Sequence, residues 1–309
     1  MQIGVVASDG CFASALVSVL DILRVAEMRR PAIDETIPPL VVEVVGARRR
    51  VTAGGGIGVT ADRSLAELDD LDVVVVPALG TMDEADTTAA LGTADTRRLV
   101  AALDRLAPST TVAAACTGVF PLAEAGLLAR RRATTSWWLW PAFRRRYPAA
   151  VLDVDAMVVT DGRAVTAGAA FAHIDLALTL VRLASPRLAR DVARLLVVDE
   201  RPSQAVYVAL DHLVHDDELV RAFEAHVRAH LREPLDIAAV AAELGTSRRT
   251  LERRTAEAVG LSPLALVRRL RVERALHLLR STDLGTEAVA AEVGYAGAAT
   301  LRSVLRRFS

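Results

Sequence analysis

The residues with the plainest chemical use lie near the C-terminus, in TSRRTLERR (246–254) and YAGAATLRSVLRR (295–307). An arginine guanidinium donates two parallel hydrogen bonds to O6 and N7 of guanine, and a glutamate accepts one from N4 of cytosine. Arg248, Arg249, Glu252 and Arg253 put both kinds of group on one short segment. The chemistry they suit is the reading of base edges. Each segment follows a copy of one run, AVAAELG at 239–245 and AVAAEVG at 288–294, 49 positions apart. A short helix, a glycine turn and a second helix with a basic face make a helix-turn-helix, whose second helix enters a DNA major groove. Two such units in one chain point to DNA binding and leave the preceding residues as a candidate sensor.

These segments work only if the surrounding elements hold them in register, and local signals place those elements. Asp236 is expected to cap a helix over 237–244 that Gly245 ends, and Ser247 to cap the next, which Gly260 ends. Ser262-Pro263, an N-cap followed by proline at the first helical position, opens a helix over 263–280. At 1.5 Å per residue that helix is roughly 27 Å long, against about 34 Å between adjacent major grooves on one face of B-DNA. Thr286 is expected to cap the helix of the second unit, with Gly294 at its end, and a helix near 216–231 leads into the repeat.

Charge follows the same division. Residues 221–309 hold 15 Arg and 10 acidic residues, whereas residues 1–220 hold 22 Arg and 28 acidic residues. A basic module on an otherwise acidic chain suits contact with phosphates. Lys and Asn are absent and Ala abounds, which is the mark of a GC-biased genome rather than of a function. The two cysteines, Cys11 and Cys116, form no CxxC, which argues against a disulfide framework and a structural zinc site. No signal-like leader opens the chain and no stretch approaches 18 uninterrupted apolar residues, so the cytoplasm is the expected location and no membrane span is expected.

Residues 1–185 alternate strand-like and helix-like runs. Strands are expected at 2–7, 40–47, 71–79 and 109–116, and helices at 14–30, 94–107, 117–129 and 171–184. AMVVT, Asp161-Gly162 and RAVTA read as a hairpin. The expected fold class is α/β and flavodoxin-like, a mostly parallel sheet with helices on both faces, followed by an all-α double helix-turn-helix domain. The expected domains are 1–185 and 216–309, with 186–215 as the connection. GGGIG (54–58) leads into no helix and reads as a hairpin turn, not a phosphate loop. His226 and His230 lie four apart but have no evident third ligand, so an exposed helix face is expected, with no metal and no cofactor. The aromatic run WWLW (137–140) suits core or a dimer surface.

The stretch from LDIAAVAAELGTSRRTLERR through GLSPLALVRRLRVERALHLLRSTDLGTEAVAAEVGYAGAATL resembles the AraC/XylS family of bacterial transcription regulators, over about residues 218–308. The resemblance implies two units reading successive major-groove segments of a double-stranded operator, with RNA polymerase as a further candidate partner. Carried over by position, it assigns to DNA Ser247, Arg248, Arg249, Glu252 and Arg253 in the first reading helix. In the second it assigns Ala298, Ala299, Thr300, Arg302 and Ser303, with Leu251 and Leu301 facing the core. Ser303 stands where the family usually carries Arg, and Thr255 and Leu305 stand where it carries aromatic residues. The Gly-x-x-Pro-x-x-Tyr-Arg ending common in the family is not found before Ser309. The second unit is therefore expected to contribute less to sequence reading.

AAACTGVFPLAEAGLLARRRATTSWW (113–138), TAGAAFAHIDLALTLVRLA (166–184) and DILRVAE (21–27) are similar to the PfpI/ThiJ family, whose fold is that of class-I glutamine amidotransferases. The two halves together resemble the GlxA-type subfamily of AraC regulators. In that fold a cysteine at a sharp strand-to-helix turn points into a pocket at a helix N-terminus, a setting that lowers a thiol pKa. The resemblance places Cys116 there, with the Thr117 N–H and the Gly80 turn as donors. It puts Ser136 where the family's enzymes carry a histidine base, and Ala15 where they carry an acid. Without base or acid the thiol lacks an activated-nucleophile arrangement. The expected role is a ligand pocket of Cys116, Thr117, Gly80 and Ser136 for an unknown small-molecule effector, without catalysis. The expected assembly is a homodimer through this domain and its segment 137–143. The competing reading is a cysteine-dependent amidase or glyoxalase-like enzyme with an accessory DNA-binding module. A third is a dimerisation domain with no ligand.

Overall fold

The apolar run Val73–Val76 forms a strand with all four residues buried, as a strand covered on both faces must be. The computed structural model describes residues 1–169, 171–199, 201, 203–204 and 217–308, the side chains of 307 and 308 excepted. The chain divides into two units, Met1–Pro202 and Ser203–Ser309.

In the first unit the strands are β1 (Gln2–Ala7), β2 (Val41–Gly46), β3 (Arg50–Ala53), β4 (Ile57–Thr60), β5 (Arg63–Ser64), β6 (Val73–Val76), β7 (Thr111–Ala115), β8 (Arg132–Ala133), β9 (Val151–Leu152), β10 (Val158–Asp161) and β11 (Ala164–Ala167). The helices are α1 (Ala13–Ile33), α2 (Glu84–Leu91), α3 (Ala94–Asp104), α4 (Val119–Glu124), α5 (Trp140–Arg146), α6 (Ala172–Ala184) and α7 (Pro186–Leu195). Seven strands form one sheet in the order β10-β11-β7-β6-β1-β2-β5. It is parallel except for the β10–β11 hairpin, which turns at Asp161-Gly162 as expected. Alternation along β1 splits the core into two layers. Ile3, Val5 and Ala7 face one layer with α1, α6 and α7. Val6, with Val74 and Val76, faces the other with α3, α4 and α5. GGGIG supplies the turn between the antiparallel strands β3 and β4.

Two expectations are corrected here. The segment 186–195 is not connection. Ser185 caps α7 by accepting from the Leu188 N–H, and Leu188, Ala189 and Val192 sink into the core formed with α1 and α6. An Arg29–Asp191 ion pair at 2.7 Å adds to this seating. The first unit therefore extends past the expected boundary at 185; residues 205–215 of the expected connection lie outside the described residues. Nor is 117–129 one helix: a 3-10 turn at Cys116–Gly118 precedes the short α4. Trp140 and Phe143 are fully buried and Trp137 and Trp138 pack edge to face at 5.3 Å. Of the two roles expected for this segment, core packing is met by Trp140 and Phe143, while Trp137 and Trp138 stay half-buried.

The second unit contains α8 (Glu218–Ala229), α9 (Ile237–Glu243), α10 (Arg248–Val259), α11 (Pro263–Ser281), α12 (Thr286–Glu292) and α13 (Ala298–Phe308). The caps at Asp236, Ser247 and Ser262 form as expected, each side chain accepting a backbone N–H in the first turn. Thr286 does not cap α12: the helix starts one residue early, with Gly285 at the N-cap and Thr286 already helical. The 19 residues of α11 span roughly 28 Å. Ala275 and Leu278 of α11 pack with Val289, Ala290, Val293 and Leu301 to form the core of the second helix-turn-helix.

Candidate nucleic-acid interface and cysteine elbow

On α10, Leu251, Thr255 and Val259 recur every four residues and are buried. That stripe fixes which face is left for a ligand. Arg248, Arg249 and Arg253 are exposed on the remaining surface, with Glu252 half-buried beside them. Arg248 Nε donates to Glu252 Oε1 at 2.8 Å, and Arg253 Nη1 donates to Glu257 Oε2 at 2.8 Å. Exposed pairs four apart on a helix are worth about 0.3–0.5 kcal/mol, so a base edge or phosphate can displace them. Among the described residues Arg249 has no ion-pair partner. Ser247 spends its hydroxyl on the cap, accepting from the Thr250 N–H at 3.1 Å.

On α13, Leu301 is buried and Ala299, Thr300, Arg302 and Ser303 are exposed. Ala298 is a correction. It was assigned to the base-facing set, yet it is buried, because it lies one turn before Leu301 and shares the inward side of the helix. The two helix-turn-helix motifs are braced by one guanidinium. Arg271 of α11 donates to the Glu233 carbonyl oxygen at 2.7 Å, just ahead of α9, and to the Gly294 carbonyl oxygen at 3.3 Å in the second turn. Arg254 pairs with Asp217, the N-cap of α8, and Arg232 pairs with Glu292 of α12. The candidate chelating pair is otherwise engaged: the His226 and His230 rings stack at 4.4 Å and His230 Nδ1 bonds the His226 carbonyl at 2.8 Å. Both are half-buried, not on the exposed face expected.

In the first unit Cys116 leaves β7 with φ +56°, a left-handed conformation that side chains rarely adopt. The strand-to-helix elbow is therefore present. The Cys116 N–H donates to the Gly168 carbonyl at 2.9 Å and its carbonyl accepts from Thr135 Oγ1 at 2.7 Å. Ser136 Oγ donates to Cys116 Sγ at 2.8 Å, and Thr117, whose hydroxyl accepts the Leu79 N–H at 2.9 Å, adjoins the sulfur and acts to lower its pKa. Ser136 and Thr117 are thus brought to Cys116. Gly80 forms a tight turn: it is exposed, with φ +80°, and a Cβ there would stand 1.9 Å from the Gly10 carbonyl oxygen. Just ahead of this turn, Ala78 packs with Ala15 and Cys116 against Trp138.

The expected lowering of the thiol pKa is also corrected. Burial pushes the Cys116 thiol up, outweighing the lowering by Ser136 and Thr117, because no cation and little solvent reach the sulfur. Sequence reasoning missed His173 at the start of α6. It is fully buried, its Nε2 accepts the Ala78 N–H at 3.2 Å, and burial pushes its pKa down to about 4. A histidine within the mostly apolar run FAHIDLALTL was the available signal.

Residues 3–183 match the DJ-1/PfpI family, and residues 240–309 match a helix-turn-helix domain family. The chain is 32% identical over 250 residues to the HTH-type transcriptional regulator CdhR of Pseudomonas aeruginosa, spanning 79% of this chain and 71% of that protein. The chain belongs to the HTH-type transcriptional regulators that carry a DJ-1/PfpI domain. It is also similar to the family's GlxA regulator of Rhizobium meliloti, with 27% identity over 197 residues that cover 62% of this chain and 60% of GlxA. DJ-1beta of Drosophila melanogaster shares the fold of the regulator's first unit, with TM-score 0.51 and 22% identity over 64% of this chain and 98% of that one. The AraC-type module and the PfpI-type α/β domain expected from the sequence are thus both present in this regulator. Among its described residues no helix is long and apolar enough to cross a membrane.

Proposed function

We propose that this regulator binds double-stranded operator DNA through α10 and α13, each lying in the major groove, and works in the cytoplasm as a homodimer. The observation that carries this reading is the pairing of a buried leucine with an exposed reading face in both units: Leu251 opposite Arg248, Arg249 and Arg253, and Leu301 opposite Arg302. Ala299, Thr300 and Ser303 line the rest of the second face. The first unit senses a small molecule or holds the dimer together, without catalysis, and RNA polymerase is a partner on the DNA. Three features of the elbow support the non-catalytic reading. The thiol is pushed up, the nearby imidazole is pushed down with its Nε2 occupied, and Ala15 packs where an acid would be needed. An activated cysteine needs the opposite shifts. Selection of duplexes from a random pool by the full chain, followed by footprinting, tests the DNA reading. Enrichment of no sequence would overturn it.

A further inference from the structure

The second reading helix begins without a capping side chain of its own. In the first unit Ser247, four residues before the buried Leu251, caps α10. Four residues before the buried Leu301 stands Gly297. Its carbonyl accepts from the Leu301 N–H at 3.1 Å, so it occupies the N-cap position with no hydroxyl to offer. The missing acceptor comes from another helix: Glu287 Oε2 of α12 accepts the Ala298 N–H at 2.9 Å. A Cβ on Gly297 would lie 3.0 Å from Glu287 Oε1, closer than ordinary contact. The bare glycine and the carboxylate are therefore one arrangement, in which the glycine makes room for the acceptor that replaces its side chain.

We propose that Glu287 is a positioning residue for the second reading helix, and that its negative charge makes this unit repel phosphate where the first does not. An N-cap acceptor is worth about 1 kcal/mol and sets the direction of the first turn. Here the cap also ties α13 to α12, the partner helix of its own motif. A helix N-terminus carries roughly half a positive charge and is a ready anion site. Ser247 leaves that charge open at α10, whereas Glu287 neutralises it at α13. The two motifs thus share a fold but differ in sign at the end that approaches DNA. This rests on the reading that α13 meets DNA.

The test uses the full chain and the variants Glu287→Gln, Glu287→Ala, Glu287→Ala with Gly297→Ser, and Arg302→Ala. Without DNA, amide exchange at 298–301 should quicken roughly fivefold in Glu287→Ala and stay unchanged in Glu287→Gln, whose amide oxygen still accepts. It should recover in the double variant, where a serine rebuilds the cap of the first unit. Exchange in Glu287→Ala equal to wild type would overturn the positioning role. On random-sequence duplex, Glu287→Gln should bind several-fold more tightly, with a steeper dependence on salt by up to about one unit of slope. Unchanged affinity and slope in Glu287→Gln, while Arg302→Ala weakens binding, would overturn the charge role. If Arg302→Ala also changes nothing, the reading that α13 meets DNA is what fails, and the exchange result still judges the cap.

Discussion

His173 Nε2 accepts the backbone N–H of Ala78, and Ala78 packs on Cys116. The imidazole therefore reaches the cysteine elbow through a peptide group and serves as an acceptor for it. That role requires the neutral ring, which fits the low pKa, and it has a consequence for stability. The folded value is about 4 against an ordinary 6.5. The unfolded chain thus takes up the proton first as pH falls. The contribution is fully present above pH 6.5 and is lost as pH drops toward 4, amounting to about 3 kcal/mol by linkage. Chemical unfolding of the full chain at pH 7 and pH 4.5 should show this loss. His173→Gln should show a smaller difference between the two pH values, and an equal one would contradict the assignment.

Both thiols are buried and both are pushed up by burial, Cys11 as well as Cys116. Alkylation of the native chain at pH 7.5 should run at least about tenfold slower than for a free cysteine, and full reactivity should appear on unfolding. Amide, ester and glyoxal substrates should show no turnover that Cys116→Ser abolishes. Fast native labelling together with Cys116-dependent turnover would favour the enzyme reading.

Thr255 is fully buried in α10 and its hydroxyl has no hydrogen-bond partner among the described residues. A lost bond of this kind costs about 1–3 kcal/mol, and valine has the same shape without the polar atom. Thr255→Val should raise the stability of the second unit by about 1 kcal/mol, read as a shift in its thermal transition. A lower transition would mean that the hydroxyl is satisfied by water.

Among the described residues Arg249 has no ion pair, whereas Arg253 is held by Glu257. Arg249→Ala and Arg253→Ala should each cost about 1–3 kcal/mol on a selected duplex and relax preference at one base pair. Glu257→Ala frees Arg253 and should strengthen binding. Ser303→Ala should change it by less than about 0.5 kcal/mol, because its hydroxyl is short and reaches few base edges. Binding to single-base variants of the duplex separates these cases, and a loss at Ser303 equal to that at Arg249 would refute the asymmetry.

What was legible in the sequence was mostly local. Caps at Asp236, Ser247 and Ser262 depend on neighbours within three residues, and they formed as read. The strands and the hairpin followed from runs of β-branched residues and a turn dipeptide. What escaped was settled by distant partners. The membership of α7 depends on α1 and α6, more than a hundred and fifty residues apart at the Arg29–Asp191 pair. Neither the burial of His173 nor the Glu287 acceptor for Ala298 can be read from spacing along one element. Ala298 was assigned by position within a motif, and the side it faces was decided by where Leu301 enters the core. At the Cys116 elbow Ser136 reaches the sulfur as the motif implied, while the packing of Ala15 and Ala78 on the cysteine comes from other elements and leaves no local signal.

Arg271 holds the turn of the second motif and the chain ahead of the first on one guanidinium. That shared anchor should restrict independent swivelling of α10 and α13 about α11. Each base pair turns the double helix by about 35°, so adding one between the two contacted segments rotates one face away while the protein stays put. On the proposed reading of DNA by both helices, the spacing of the operator should therefore be quantised. A changed base should then be tolerated more readily than a changed count of bases, and drift in its target sites should preserve length before it preserves letters.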